Sequence, residues 1–359
     1  MTDRKRSEWE SSVEGVESAG VGFSFREILA FIKTLENDPT ATQKRRRIIS
    51  EVTSGQWQLR GNFYELKALV DYLSRIGDNK NALDICLHHL QKVGSNDLLA
   101  MAIEQSRKAG PMEYEHGQKC INRAMATDCS CWSHRLFEQC IYFLMQKAHN
   151  DPAKAQSFWR DAEKLARKYQ IVFQGSEEGF YLLAKLKDMQ NSKMDAIDEL
   201  RIAIFEKTRD EIPQSRICPR CCVFLLGLLE GSNEYAVIKR IADIGMQYEN
   251  MGKNRFYVAY RKADAMDRLL WADRTLAQQN EELWMDEAEK VLKAYDEAYE
   301  MYRCAYGKKK LTTVDEDGTE RDYPVRDFLD SICRSVQRYD RVNWQDARPH
   351  WSDWINKFN

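Results

Sequence analysis

From Phe25 to about residue 306, nearly every stretch of roughly 12 to 25 residues carries its apolar side chains three or four positions apart, and strand-like alternation is almost absent. Such spacing draws one apolar stripe along a helix and gives a strand no continuous face to bury. The breaks between stretches open with Gly, Asn, Asp or Pro, residues that end helices or begin turns. The chain can therefore fold only by packing amphipathic helices on one another, an all-α architecture. Hydrophobic residues make up 43% of the 359, which is ample for that packing, and the 31% that are charged supply the solvated faces.

The helices come in pairs. Leu66, Leu69, Val70 and Leu73 form one stripe, and after "GDNKN" Ala82, Ile85, Cys86 and Leu90 form its partner. The hairpin returns as Phe137 to Lys147 followed by "NDPAKA", where Asp151 is expected to cap the next helix with Pro152 at its first position. It returns again as Phe180 to Met189 with Met194 to Glu206, and as Cys221 to Leu229 with Tyr235 to Tyr248. Ahead of the array, Ser24 followed by Glu27 fits a reciprocal capping box for a helix carrying Phe25, Ile28, Leu29, Ile32 and Leu35. Residues 1–21, rich in Ser, Glu, Gly and Val without helical periodicity, are expected to form a mobile tail.

Second helices share a rhythm of small and larger residues: Ala82/Cys86, Gly117/Ile121/Ala124, Ala155/Trp159/Ala162 and Ala196/Leu200/Ala203. Small residues let a second helix press against its own first helix and against the next pair, and larger ones fill the gaps between. On these residues the chain resembles the tetratricopeptide-repeat family, whose pattern sets a Trp-x-x-Leu-Gly-x-x-Tyr helix before an Ala-x-x-x-Phe helix. Phe180, Leu183 and Ala184 followed by Ala196, Leu200 and Ala203 match best, then Ala155, Trp159 and Ala162. The resemblance covers about residues 60 to 250. Taking Ala236 for the last unit, the small positions recur every 35 to 41 residues, not every 34, so HEAT-like or irregular arrays stay open.

The resemblance implies an α-solenoid of stacked hairpins whose first helices line a concave, protein- or peptide-binding surface. Carried over position by position, that surface would include Tyr64, Lys67 and Asp71, then Phe137, Cys140 and Leu144, then Tyr181, Lys185 and Asp188. The Lys/Asn clamp with which some members grip chaperone C-termini is not expected, because Glu178, Tyr181 and Leu182 stand where basic or amide side chains are needed.

Beyond residue 250 the pattern lengthens into two helices, 254 to about 282 and 284 to 306, the second striped by Trp284, Ala288, Val291, Tyr295, Ala298, Tyr302 and Ala305. Residues 308 to 324 break helicity around Asp317-Gly318, as a short hairpin or a loop. A helix over 325 to 339 precedes Trp344, Trp351, Trp354 and Phe358, aromatics that dock either on the chain's own last hairpin or on a partner. The expected organisation is a tail at 1–21, a repeat array over 22–253 and a long hairpin at 254–306. A loop or β-hairpin at 307–324 and a Trp-rich helical segment at 325–359 complete it.

Motifs for chemistry are sparse. Cys218 and Cys221 in "CPRCC" have zinc or redox spacing, but a structural zinc site needs about four ligands, and Cys129 and Cys131 with His134 are the one dense candidate for a second pair. The surrounding helical sequence makes buried free thiols the leading reading of the ten cysteines. Lys44, Arg45, Arg46 and Arg47 form a basic run that can meet phosphates, the basis of an alternative nucleic-acid reading. Usually such a run is a solvated helix face, and a net charge of −2 argues against a surface built throughout for nucleic acid. No phosphate-cradling glycine loop, dinucleotide fingerprint or nucleophile elbow is present, so no cofactor and no enzymatic activity are expected. The longest uncharged apolar run, Val223 to Leu229, is far below the roughly 20 residues a membrane helix needs. The first residues, with Arg4, Lys5, Arg6, Glu8 and Glu10, do not build a secretory signal, so a cytoplasmic protein is expected. The oligomeric state is not readable from the sequence.

Overall fold

The computed structural model describes residues 22–35, 40–54, 58–174, 176–206, 219–273, 279–306, 311–314 and 320–323, with 332, 334, 335 and 339 in the segment that follows. The chain forms two compact units, Met1–Val172 and Phe173–Asn359. The division falls inside the stretch read from the sequence as one array. Both units are built of helices, and among the described residues no helix is long and apolar enough to cross a membrane.

In the first unit the helices are α1 (Phe25–Thr34), α2 (Ala41–Thr53), α3 (Phe63–Arg75), α4 (Asn79–Lys92), α5 (Asn96–Ala109), α6 (Tyr114–Met125), α7 (His134–Asn150) and α8 (Ala155–Val172). The capping box forms as the sequence requires: the Glu27 N–H donates to Ser24 Oγ at 3.1 Å, and the Ser24 N–H donates to Glu27 Oε2 at 2.9 Å. Asn62 caps α3 in the same way, its side chain accepting the Glu65 N–H. Two three-residue strands, β1 (Gly22–Ser24) and β2 (Gln58–Arg60), pair in parallel just before α1 and α3. Three residues are too few for alternation to register, so this pair is not legible in the sequence.

Helices pack on the next and the next but one. Contacts run α3 on α4, α4 on α5, α5 on α6 and α7 on α8, with α1 on α3, α2 on α4 and α5 on α7 bridging successive pairs. That connectivity is the mark of a helical-repeat arrangement, in which each hairpin buries its apolar stripe against the following one. Helix α5 shows its effect: Leu98 through Ile103 are all buried, as are Gln105, Ser106 and Arg107.

Small residues sit where the helices approach. Ala82, Cys86, Ala124, Ala162 and Ala166 are buried, and Gly117 on α6 is the tightest case. A Cβ there would lie 2.6 Å from Ser106 Oγ on α5 and closer still to the Phe143 ring on α7. Its N–H donates to that same Ser106 Oγ at 3.1 Å, while the Ser106 hydroxyl donates to the Glu113 carbonyl at 2.6 Å. Gly117→Ala is therefore expected to push α6 off α5 and α7 and to lower the stability of the first unit by about 1–3 kcal/mol, the usual cost of overpacking. Hydrogen exchange on the full chain would show it as faster exchange across α5 to α7, with the second unit unchanged.

The second unit repeats the logic with α9 (Glu178–Met189), α10 (Lys193–Arg201, continued by a π turn over Ile202–Glu206), α11 (Pro219–Leu228), α12 (Tyr235–Met246), α13 (Arg255–Ala272) and α14 (Glu281–Tyr306). First helices α9, α11 and α13 touch in sequence, and each successive pair of helices from α9 to α14 is packed together. Ala184, Ala196 and Ala203 are all buried. At the fourth hairpin the register differs from the sequence reading: Ala236 is exposed, and the packed small residues are Ala242 and Gly245. A Cβ on Gly245 would stand 3.0 Å from Val258 on α13.

Two helix ends also move. Asp151 ends α7 instead of capping α8, its N–H donating to the Lys147 carbonyl, and Pro152 starts a turn ahead of Ala155. Helix α13 stops at Ala272, about ten residues short of the expected end. Its partner α14 buries Trp284, Ala288, Val291, Tyr295, Ala298 and Tyr302 and leaves only Ala305 of the expected stripe exposed. Residues Ile332 and Tyr339 of the C-terminal segment are buried with Trp284, Val291 and Tyr295 of this hairpin. Beyond α14, β3 (Leu311–Val314) pairs antiparallel with β4 (Glu320–Tyr323), the short hairpin that was one of the two expectations there. The tail at 1–21 and the turn Asp317-Gly318 lie outside the described residues.

Candidate interaction surface

In the first unit, α6 and α8 are the second helices of consecutive hairpins. Each leans on first helices, α6 on α5 and α8 on α7. Between them opens a cleft of about 730 Å3 lined by one face of α6, one face of α8 and Leu144 of α7. Ile121, Leu144 and Leu165 are almost fully buried and form its floor, and Met125, 46% exposed, stands at its edge.

Its two walls differ. On α8, Arg160, Lys164, Arg167 and Lys168 lie at i, i+4, i+7 and i+8, one stripe about 12 Å long at 1.5 Å per residue. All four are exposed. Two carboxylates share this wall: Lys164 Nζ is 3.9 Å from Asp161, and the Arg167 guanidinium is 3.8 Å from Glu163. Solvent-facing pairs of this kind contribute about 0–1 kcal/mol. On α6 the wall is uncharged. Gln118 donates to Asn122 Oδ1 at 3.0 Å and accepts from Lys147 Nζ at 2.8 Å. Lys147 itself lies 4.4 Å from the centre of the Phe158 ring, and burial, followed by the charge of Lys154, lowers its pKa.

Another polar surface joins the first helices. Glu104 on α5 is gripped by Lys108 at 3.0 Å and by Arg135 of α7 at 2.7 Å, and Lys108 reaches Ser74 of α3 at 3.3 Å. Burial alone would raise the Glu104 pKa, but Lys108 and Arg135 outweigh it and hold the carboxyl below its ordinary value of 4.5. A depressed folded-state pKa stabilises above the unfolded-state value and loses that contribution as pH falls through the folded one. The first unit is therefore expected to weaken as pH drops below about 4.5, and Glu104→Gln should flatten the decline in urea titrations at pH 7 and pH 4.

Of the sequence-predicted positions, Tyr64 is 80% exposed, Asp71 is exposed and Lys67 is half-buried, all on α3. Phe137 and Tyr181 are corrections: neither is on a surface. Phe137 packs edge-on against Tyr169 and beside Trp132, and Tyr181 packs against Phe224 beneath the Arg220 guanidinium. Cys140 is fully buried too, and Leu144 faces the cleft between second helices. The physical reason is that α7 is packed by both α5 and α8, and α9 by both α10 and α11, so each buries more than one face. Lys185 and Asp188 on α9 are half-buried. Trp344, Trp351 and Trp354 lie outside the described residues.

The basic run on α2 is partly engaged. Arg45 Nε donates to Asp78 at 3.1 Å in a pair whose two side chains are each 13% exposed, and Arg47 meets Glu51 at 3.1 Å. Lys44 is half-buried and Arg46 exposed. Among the cysteines, Cys86, Cys120, Cys140, Cys221 and Cys222 are buried free thiols. Burial pushes Cys120 up to about 11 and Cys86 and Cys140 higher, so they stay protonated and unreactive. Cys129 is half-buried and Cys131 exposed in the turn before α7; His134 bonds Tyr169 at 2.6 Å. Cys221 donates to the Glu177 carbonyl, and Cys218 lies outside the described residues. Among the described residues no three His, Cys, Asp or Glu side chains gather as metal ligands.

Sequence reasoning missed the cleft. Its signal was the basic stripe Arg160, Lys164, Arg167 and Lys168 on a helix whose other face is apolar, but the facing wall comes from another hairpin. Compared with protein-family models and with curated proteins, the chain shows no match.

Proposed function

We propose that the protein is a non-enzymatic, protein- or peptide-binding adaptor or regulatory scaffold, built as a tetratricopeptide-like α-solenoid and acting in the cytoplasm. The observation that carries this reading is the cleft between α6 and α8, which joins an apolar floor to a charged rim. A floor of Ile121, Leu144 and Leu165 favours apolar side chains, and polar rims supply direction and specificity. Stacked hairpins support it as well, because each one presents helix faces that a partner segment can follow. The nucleic-acid alternative through Lys44 to Arg47 is weaker, since Arg45 and Arg47 already answer to Asp78 and Glu51.

Affinity capture with the full chain tests the reading. Bound material should be destroyed by protease and survive nuclease. Material released by nuclease would transfer the function to nucleic acid. Capture with a chain lacking residues 340–359 separates a role for Trp344, Trp351 and Trp354 in partner binding from docking within the chain.

A further inference from the structure

We infer that the cleft between α6 and α8 takes an acidic amphipathic segment of a partner protein, a helix with an apolar stripe and carboxylates along one flank. The inference rests on the protein-binding reading above and adds the chemistry of the partner. The α8 wall carries the cations Arg160, Lys164, Arg167 and Lys168 beside two carboxylates, Asp161 and Glu163, so positive charge is in excess there. Arg160 and Lys164 stand one helical turn apart, as do Lys164 and Lys168, the spacing at which carboxylates recur along one side of a docked helix.

The opposite wall carries no charge. Gln118, Asn122 and Met125 present amide and thioether groups, so the complementary ligand is charged on one flank only. The chain as a whole has a net charge of −2, so this stripe is a local feature and not overall basicity. A nucleic-acid strand would satisfy the cations but leave the exposed Met125 side chain at the cleft edge without an apolar partner. An acidic amphipathic segment satisfies both.

Fluorescence anisotropy on the full chain tests it with three labelled 16-residue peptides. One carries Leu at i, i+3, i+4 and i+7 with Glu on the flank, one has Lys for every Glu, and one has Ser for every Leu. The acidic amphipathic peptide should bind, and each control should bind at least about tenfold more weakly. Arg160→Glu, Lys164→Glu and Lys168→Glu combined, all exposed positions, should weaken the acidic peptide at least about tenfold while the urea midpoint stays put. Equal binding of the acidic and lysine peptides, or binding unaffected by the triple substitution, overturns the inference. So does binding of an oligothymidylate probe, lost on triple substitution, where no peptide binds. If no peptide binds while affinity capture still yields a protease-sensitive partner, the inference fails and the broader reading stands.

Discussion

Phe137→Ala is expected to destabilise the first unit by about 3–5 kcal/mol, the range for emptying a buried phenylalanine site. Its ring is fully buried, 5.5 Å from Tyr169 and 4.8 Å from Trp132 by centroid. Removing it opens a void between α7 and α8 and undercuts the turn that holds Trp132, whose indole N–H donates to Thr127 Oγ1. Hydrogen exchange on the full chain would report it region by region, which suits a protein of two units better than one global unfolding free energy. Fast exchange confined to the first unit is the expected result. If Phe137→Ala left exchange unchanged and only weakened partner binding, Phe137 would be the surface residue that the family resemblance implies.

The second large effect is in the other unit. Asp267 is fully buried on α13 and accepts hydrogen bonds from the Tyr339 hydroxyl at 2.7 Å and the Tyr295 hydroxyl at 3.2 Å. Burial, then the neighbouring Asp267 charge, raises the Tyr295 pKa, so that hydroxyl remains a donor. The Tyr339 ring also packs on Trp271 and Trp284. Two substitutions separate its roles. Tyr339→Phe removes a donor to a buried charge and is expected to cost about 1.5–3 kcal/mol. Tyr339→Ala also loses the ring and is expected to cost about 3–5 kcal/mol. Faster exchange in α13 and α14, graded Phe before Ala, is the signature. A full effect of Tyr339→Ala with none from Tyr339→Phe would assign the site to packing alone, and equal effects would assign it to the hydrogen bond alone.

What the sequence made legible follows from how local each signal is. Ser24 and Glu27 are three residues apart and need no partner element, so their capping box could be read directly. The stripe from Trp284 to Tyr302 needs only the 3.6-residue period of one helix. Small residues such as Gly117 and Ala196 could be placed as packing positions because any close helix approach needs them. Where the reading failed, the answer depended on a second element. Ala236 and Gly245 both satisfy a small-residue rule, and only α13, with Val258 against Gly245, decides between them. Phe137 and Tyr181 went astray because a family alignment assigns one inward face, whereas α7 and α9 are each packed by two neighbours. The cleft escaped because its walls come from hairpins about 40 residues apart, and periodicity within α6 or α8 says nothing of the gap between them.

Photo-cross-linking tests the binding account most directly, with a benzophenone amino acid at Met125 on the cleft edge and, as comparison, at Met112, which is 92% exposed in the turn before α6. The account predicts a discrete, protease-sensitive, nuclease-resistant adduct at Met125, little at Met112, and loss of the adduct when Arg160, Lys164 and Lys168 are changed to Glu. Equal adducts at both positions, or a Met125 adduct that nuclease removes, would contradict it.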